Sequence, residues 1–91
     1  MDRQYYCYVI QVGQYIKIGY TSDPEKRLET ISTHSPIKPR TICMFSYNTE
    51  DAARECEQSL HGKLKKYRKN GEWFEKGAVK KFLRMGGKIV Q

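Results

Sequence analysis

Apolar and aromatic positions in the first 21 residues crowd into two short β-rich runs split by a glycine turn. Tyr5–Gln11 and Tyr15–Thr21 flank Val12-Gly13-Gln14, the composition and spacing of a hairpin. The period then changes. Ser22-Asp23-Pro24-Glu25 is a helix start: Ser22 or Asp23 can cap, Pro24 fits the first turn, and Ser22 with Glu25 makes a capping-box pattern. That helix carries Arg27, Leu28 and Ile31 and ends near Thr33, because Pro36 and Pro39 push their predecessors toward extended geometry. Thr41–Tyr47 reads as a third, central strand. Asn48 or Thr49 caps a long helix over about Glu50–Tyr67, where Ala53, Cys56, Leu60, Leu64 and Tyr67 recur at spacings of 3, 4, 4 and 3. Lys69-Asn70-Gly71 is a turn and Glu72-Trp73-Phe74 an aromatic return. A short helix over about Ala78–Met85 is stopped by Gly86-Gly87, before Lys88-Ile89-Val90, a candidate terminal strand. The order β-β-α-β-α-α predicts an α+β domain, a small three-stranded, mainly antiparallel sheet flanked by helices.

Length makes this one domain spanning residues 1–91, with no room for a second core. Hydrophobic residues are 38% of the chain and the mean hydropathy is −0.77, which implies a compact core under a charged surface. There is no apolar run long enough for a membrane span. Met1-Asp2-Arg3-Gln4 runs straight into a strand and leaves no room for a signal peptide, so a cytoplasmic protein is expected. Cys7, Cys43 and Cys56 form no close pair and read as reduced, mostly buried thiols.

Charge is unevenly placed. Residues 1–61 hold seven Lys/Arg and eight Asp/Glu, a net of −1, whereas residues 62–91 hold ten Lys/Arg and two acids, a net of +8. Such a local positive field points to a polyanion partner. Lys63, Lys65, Lys66, Arg68 and Lys69 on the far half of the long helix can track a phosphate backbone, and Lys76, Lys80, Lys81 and Arg84 extend that track.

The long helix also holds an anomaly. At about 100° per residue, Ala53, Leu60 and Leu64 share a sector roughly 40° wide, and Glu57 lies only about 20° from Leu64. A carboxylate on the core-facing side is costly unless it is paired, hydrogen-bonded or bound to a metal. An ion pair with Arg27 or Lys17 would satisfy it, and His61, four residues on, shares much of its face.

Taken together, these residues resemble the GIY-YIG nuclease superfamily. Tyr6-Cys7-Tyr8 stands at its first triplet and Lys17-Ile18-Gly19 at its second, while Arg27 and Glu57 lie on the two helices that carry the family's arginine and glutamate. Within it the closer resemblance is to the compact T5-type domain common in phages and large DNA viruses. The shared segments are Lys-Ile-Gly-Tyr-Thr at 17–21, Glu57-Gln58-Ser59-Leu60-His61 and Gly71-Glu72-Trp73-Phe74. The resemblance implies a metal-dependent DNA endonuclease of low intrinsic sequence specificity. In that scheme Glu57 holds one Mg²⁺ or Mn²⁺ ion at the leaving-group side, Arg27 clamps the scissile phosphate, and Tyr8 orients or deprotonates the attacking water. Glu72 supports the site from outside, and Trp73 with Phe74 closes the core.

Tyr6 replaces the first family glycine and Lys17 the second triplet's tyrosine. Three readings of the second change stay open. Lys17 is the base if burial beside Arg27 leaves it neutral; Tyr8 or Tyr20 is the base while Lys17 binds phosphate; or cleavage is lost and only binding to DNA or protein remains, as in a phage or host-defence factor. DNA is the expected polyanion ahead of RNA, with no membrane partner. In so small a domain, specificity falls to a homodimer or a protein partner.

Overall fold

A computed structural model describes residues 4–84. The hairpin strands are β1 (Tyr5–Val12) and β2 (Tyr15–Thr21), joined through Gly13, whose φ of 62° the turn requires. Helix α1 (Pro24–Thr33) starts from Asp23, whose carboxylate accepts from the Lys26 amide at 3.1 Å, so Asp23 and not Ser22 is the cap. Strand β3 (Arg40–Tyr47) leads to α2 (Glu50–Lys63), capped by the Thr49 hydroxyl, which accepts from the Ala52 amide at 3.2 Å.

Four expectations are corrected here. The long helix stops at Lys63 rather than near Tyr67, and a 3₁₀ turn (Lys65–Tyr67) follows. Gly62 weakens the helix just before that break. The segment after it is no simple return: β4 (Arg68–Asn70) and β5 (Trp73–Glu75) form a second hairpin around Gly71, whose φ is 50°. The sheet therefore has five strands instead of three, all pairs antiparallel, in the order β3-β1-β2-β5-β4. This order also moves β3 from the expected centre to an edge. Helix α3 (Ala78–Arg84) comes last. The candidate strand at Lys88-Ile89-Val90 and the end of the last helix at Met85 lie outside the described residues.

Register fixes two cores. Cys7, Val9, Ile16 and Ile18 point to one face, where they meet Leu60 and Leu64 from and beyond α2 and Phe82 of α3. Tyr8, Ile10 and Val12 point to the other, against Ile31 of α1. Covered on both sides, β1 can carry the unbroken apolar run Cys7–Ile10 instead of an alternating pattern. None of the helices among the described residues is long and apolar enough to cross a membrane.

Candidate functional site

The site forms where β5 stops short. It pairs with β2 only at Tyr15, Ile16 and Lys17, leaving the second half of β2 without a strand on that side. Two groups take over the edge at Ile18: its amide donates to the Glu72 carbonyl at 2.9 Å, and its carbonyl accepts from His61 Nε2 at 2.9 Å. The contact to the carbonyl assigns the Nε2 proton to His61. The imidazole also packs edge-on against Phe74, with centroids 4.9 Å apart. His61 thus spends one nitrogen on holding α2 to the sheet.

From that edge the Glu72 side chain turns over Gly19 to meet Tyr8, whose hydroxyl donates to Oε1 at 2.9 Å. Tyr8 lies opposite Gly19 in the ladder, so ring and carboxylate meet above the glycine Cα. A Cβ at position 19 would fall on both Glu72 Oε1 and the Tyr8 hydroxyl oxygen. The glycine of Lys17-Ile18-Gly19 is therefore required by a close approach, and its φ is not in the left-handed region. Burial, and next the Glu72 charge, push the Tyr8 phenol above its ordinary range, while Arg27 pulls the other way. The ring is 0% exposed. An expected direct contact between Tyr8 and water meets a covered phenol whose proton is committed to Glu72.

Arg27 comes from α1, its guanidinium carbon 6.0 Å from the Tyr8 ring centroid. It borders two open hollows. One, of about 410 Å³, is lined by Tyr20, Thr21, Ser22, Glu50 and Glu72 among others; the second, of about 480 Å³, by Asp23, Lys26 and Thr30 with the same Thr21-Ser22 corner. Glu57 approaches from α2. Its side chain is 14% exposed, and Oε1 lies 3.9 Å from His61 Nε2. Desolvation raises its pKa, His61 lowers it, and the Glu72 charge raises it again. Tyr8 therefore feels the charges of Glu72, Arg27 and Glu57, and Glu57 feels that of Glu72, with Tyr20 on the cleft wall. Lys17 is turned elsewhere: its Nζ sits 5.1 Å from the centre of the Trp73 ring.

Glu72 is more central than its sequence suggested. It is the direct hydrogen-bond partner of Tyr8, and the Gly71-Glu72-Trp73-Phe74 segment was the signal that pointed to it. Among the described residues, no three His, Cys, Asp or Glu side chains gather as a metal cage. One half-buried carboxylate beside another does suit Mg²⁺, which keeps several waters and binds through one or two carboxylates plus substrate phosphate.

The basic residues do not share one helix. Lys63 ends α2, Lys65 and Lys66 lie in the 3₁₀ turn, Arg68 and Lys69 on the edge strand β4, and Lys80 and Lys81 on α3; all seven are exposed. Two have local partners: Arg68 Nε donates to the Gly71 carbonyl at 2.9 Å, and Lys69 Nζ is 3.4 Å from Glu75.

Residues 5–86 match the model of the T5orf172 domain. A KilA-N domain-containing protein, 315L of Invertebrate iridescent virus 6, is 37% identical over 68 residues, covering 74% of this chain and 29% of the viral protein. The chain thus spans less than a third of that relative's length. No solved structure matches it.

Proposed function

The chain belongs to the T5orf172 domain family, and we propose that it is a nuclease-like module of the GIY-YIG type that hydrolyses a DNA phosphodiester in the cleft beside β2. The observation that carries this reading is the convergence of Arg27, Glu57 and the Tyr8–Glu72 pair on one end of β2 from four separate elements.

Arg27 binds the phosphate. It borders both hollows, and its planar fork suits non-bridging oxygens whose charge grows in the transition state. Tyr8 acts through Glu72: its donated proton pins one carboxylate oxygen, leaving the other to accept a hydrogen bond from the attacking water. Glu57 is the residue that would hold the divalent ion, Mg²⁺ or Mn²⁺. When bound, such an ion neutralises charge on the departing oxygen. A cation there would also relieve the repulsion between Glu57 and Glu72. Lys17, stacked on Trp73, binds a flanking phosphate. The exposed lysines and arginines of the C-terminal third position the nucleic acid without reading sequence. The viral relative fits a phage- or virus-encoded protein acting inside a host cell.

The test is conversion of supercoiled plasmid to open circle in Mg²⁺ or Mn²⁺, alongside Glu57→Ala and Arg27→Ala. Cleavage by the unaltered chain, reduced by about 10²-fold or more in each variant, is the expected result. Salt-sensitive DNA binding with no cleavage in either metal sinks the nuclease and leaves a binding module.

A further inference from the structure

At the opposite end of β2 from the cleft lies a groove that the proposed reaction does not use. It encloses about 460 Å³ between Val12, Tyr15, Ile37, Lys69, Asn70 and Trp73. Two of these are large apolar side chains left in solvent, Tyr15 at 46% and Ile37 at 51% exposure. Scattered singly, such residues need no explanation, but here they face one groove. Ile37 is held in place: its amide donates to the Ser35 hydroxyl at 3.2 Å, and its Cδ1 reaches the space a Cβ would fill at Gly13.

The groove and the cleft lie on one line. Tyr15, Lys17 and Gly19 alternate onto the same face of β2, opposite Val12, Ile10 and Tyr8. Tyr15 is four residues from Gly19, roughly 13 Å along the strand, with the Lys17 ammonium between them. An exposed phenol face, an aromatic wall and flanking cations are the elements with which proteins hold unpaired bases: the ring stacks and the cations take the adjoining phosphates. Among the described residues Lys69, on the rim, pairs with the exposed Glu75, an ion pair too weak to withhold it from a phosphate.

We infer that this groove stacks one unpaired base of single-stranded DNA on Tyr15, so that the strand passes Lys17 and delivers a neighbouring phosphate to Arg27. The inference rests on the DNA reading above and adds to it a substrate class: DNA with an unpaired stretch, such as a flap, gap or frayed end.

The test measures binding of the chain to a short oligothymidylate and to a blunt duplex at low salt by fluorescence anisotropy. The variants are Tyr15→Ala, Tyr15→Phe and, as a control at an exposed apolar residue of α3, Leu83→Ala. Tyr15→Ala is expected to weaken oligothymidylate binding by about five- to a hundredfold, the range for loss of one stacked base. Tyr15→Phe keeps the ring and stays within about twofold, as does Leu83→Ala, while duplex binding by Tyr15→Ala changes little. Unchanged oligothymidylate binding in Tyr15→Ala, with duplex binding intact, overturns the groove alone. Equal weakening on both DNAs also overturns it, because Tyr15 then contacts backbone and not a base. Loss of self-association in Tyr15→Ala, with DNA binding intact, assigns the groove to a second copy instead. An oligouridylate bound as tightly, with the same Tyr15 dependence, overturns the restriction to DNA. Absence of salt-sensitive binding to either DNA by the unaltered chain overturns the DNA reading and this inference together.

Discussion

Replacing Gly19 by alanine tests the centre of the site with one methyl group. The added Cβ would land on Glu72 Oε1 and on the Tyr8 hydroxyl oxygen, so it cannot be accommodated while their 2.9 Å hydrogen bond persists. Tyr8 is fully buried and held within the sheet, so the glutamate must give way. The buried phenol then loses its acceptor, which costs about 1–3 kcal/mol. Crowding in a packed region adds about 1–3 kcal/mol. A loss of about 2–6 kcal/mol is expected, a large share of the roughly 5–15 kcal/mol by which domains are stable. Urea unfolding followed by tryptophan fluorescence gives the number, since Trp73 is the sole reporter and adjoins Glu72. Tyr8→Phe supplies the second arm. With no hydroxyl to displace, adding the alanine to Tyr8→Phe should cost at least about 1 kcal/mol less than adding it to the unaltered chain. If Gly19→Ala shifts stability by less than about 0.5 kcal/mol, or the two changes are strictly additive, Glu72 does not sit over Gly19 as described.

Other outcomes follow from the same geometry. Burial raises the folded pKa of Glu57 above the ordinary value of 4.5, so the folded chain holds that proton more tightly than the unfolded one. Its contribution to stability is complete below that value and is lost as pH rises through the folded pKa. Glu57→Gln should therefore raise the metal-free melting temperature at pH 7 more than at pH 4, even as cleavage fails, and Mg²⁺ should raise the melting temperature of the unaltered chain only. His61→Ala should cost about 2–4 kcal/mol in urea unfolding, because it strips the Ile18 carbonyl of its donor and leaves a void against Phe74; His61→Gln, which can still donate, should recover part of it. Cys56 is pulled down to about 6 by hydrogen bonds from Cys7 and Tyr47 and by the Lys63 charge. Peptide mapping after brief iodoacetamide treatment at pH 7 should find Cys56 alkylated first, ahead of the buried Cys7 and Cys43, with Tyr47→Phe slowing that reaction.

The parts of this fold that were legible in sequence are those where each residue has one dominant environment. The β1–β2 hairpin declared itself through Gly13, and α1 through Asp23 and Pro24, because a turn and a cap are local chemistry. Strand β3 was misplaced because Met44 and Phe45 pack on opposite faces of the sheet, so an edge strand covered on both sides reads like a central one. Strands of three residues cannot display a period of two. Arg68, Lys69 and Asn70 also carry the polar character of a protected edge, so β4 looked like a turn. Glu57 stood out because its helix face was wrong for an acid. Glu72 did not, since its importance lies in a contact 64 residues away in sequence with Tyr8. Lys17, for which a place beside Arg27 belonged to one of three open readings, stacks on Trp73, a pairing set by the unforeseen β2–β5 ladder.

That short ladder is also why a site exists here. Had β5 begun two residues earlier, Glu72 and Gly71 would have paired with Ile18 and Gly19 as part of the ladder. Instead Glu72 ends the pairing with its backbone, accepting from Ile18, and uses its carboxylate on Tyr8. His61 satisfies the carbonyl of the same residue from α2. One edge residue, Ile18, is thus satisfied by Glu72 and by His61 of the helix that carries Glu57, whose pKa is raised by burial first and by the Glu72 charge as well. Arg27 arrives from α1 on the opposite face, so the cleft lies at the seam between the two cores. A change that loosens either helix from the sheet should therefore disturb cleft geometry before it unfolds the chain. In His61→Ala, weakened phosphate binding should appear at urea concentrations below the unfolding midpoint; simultaneous loss of both would refute the coupling.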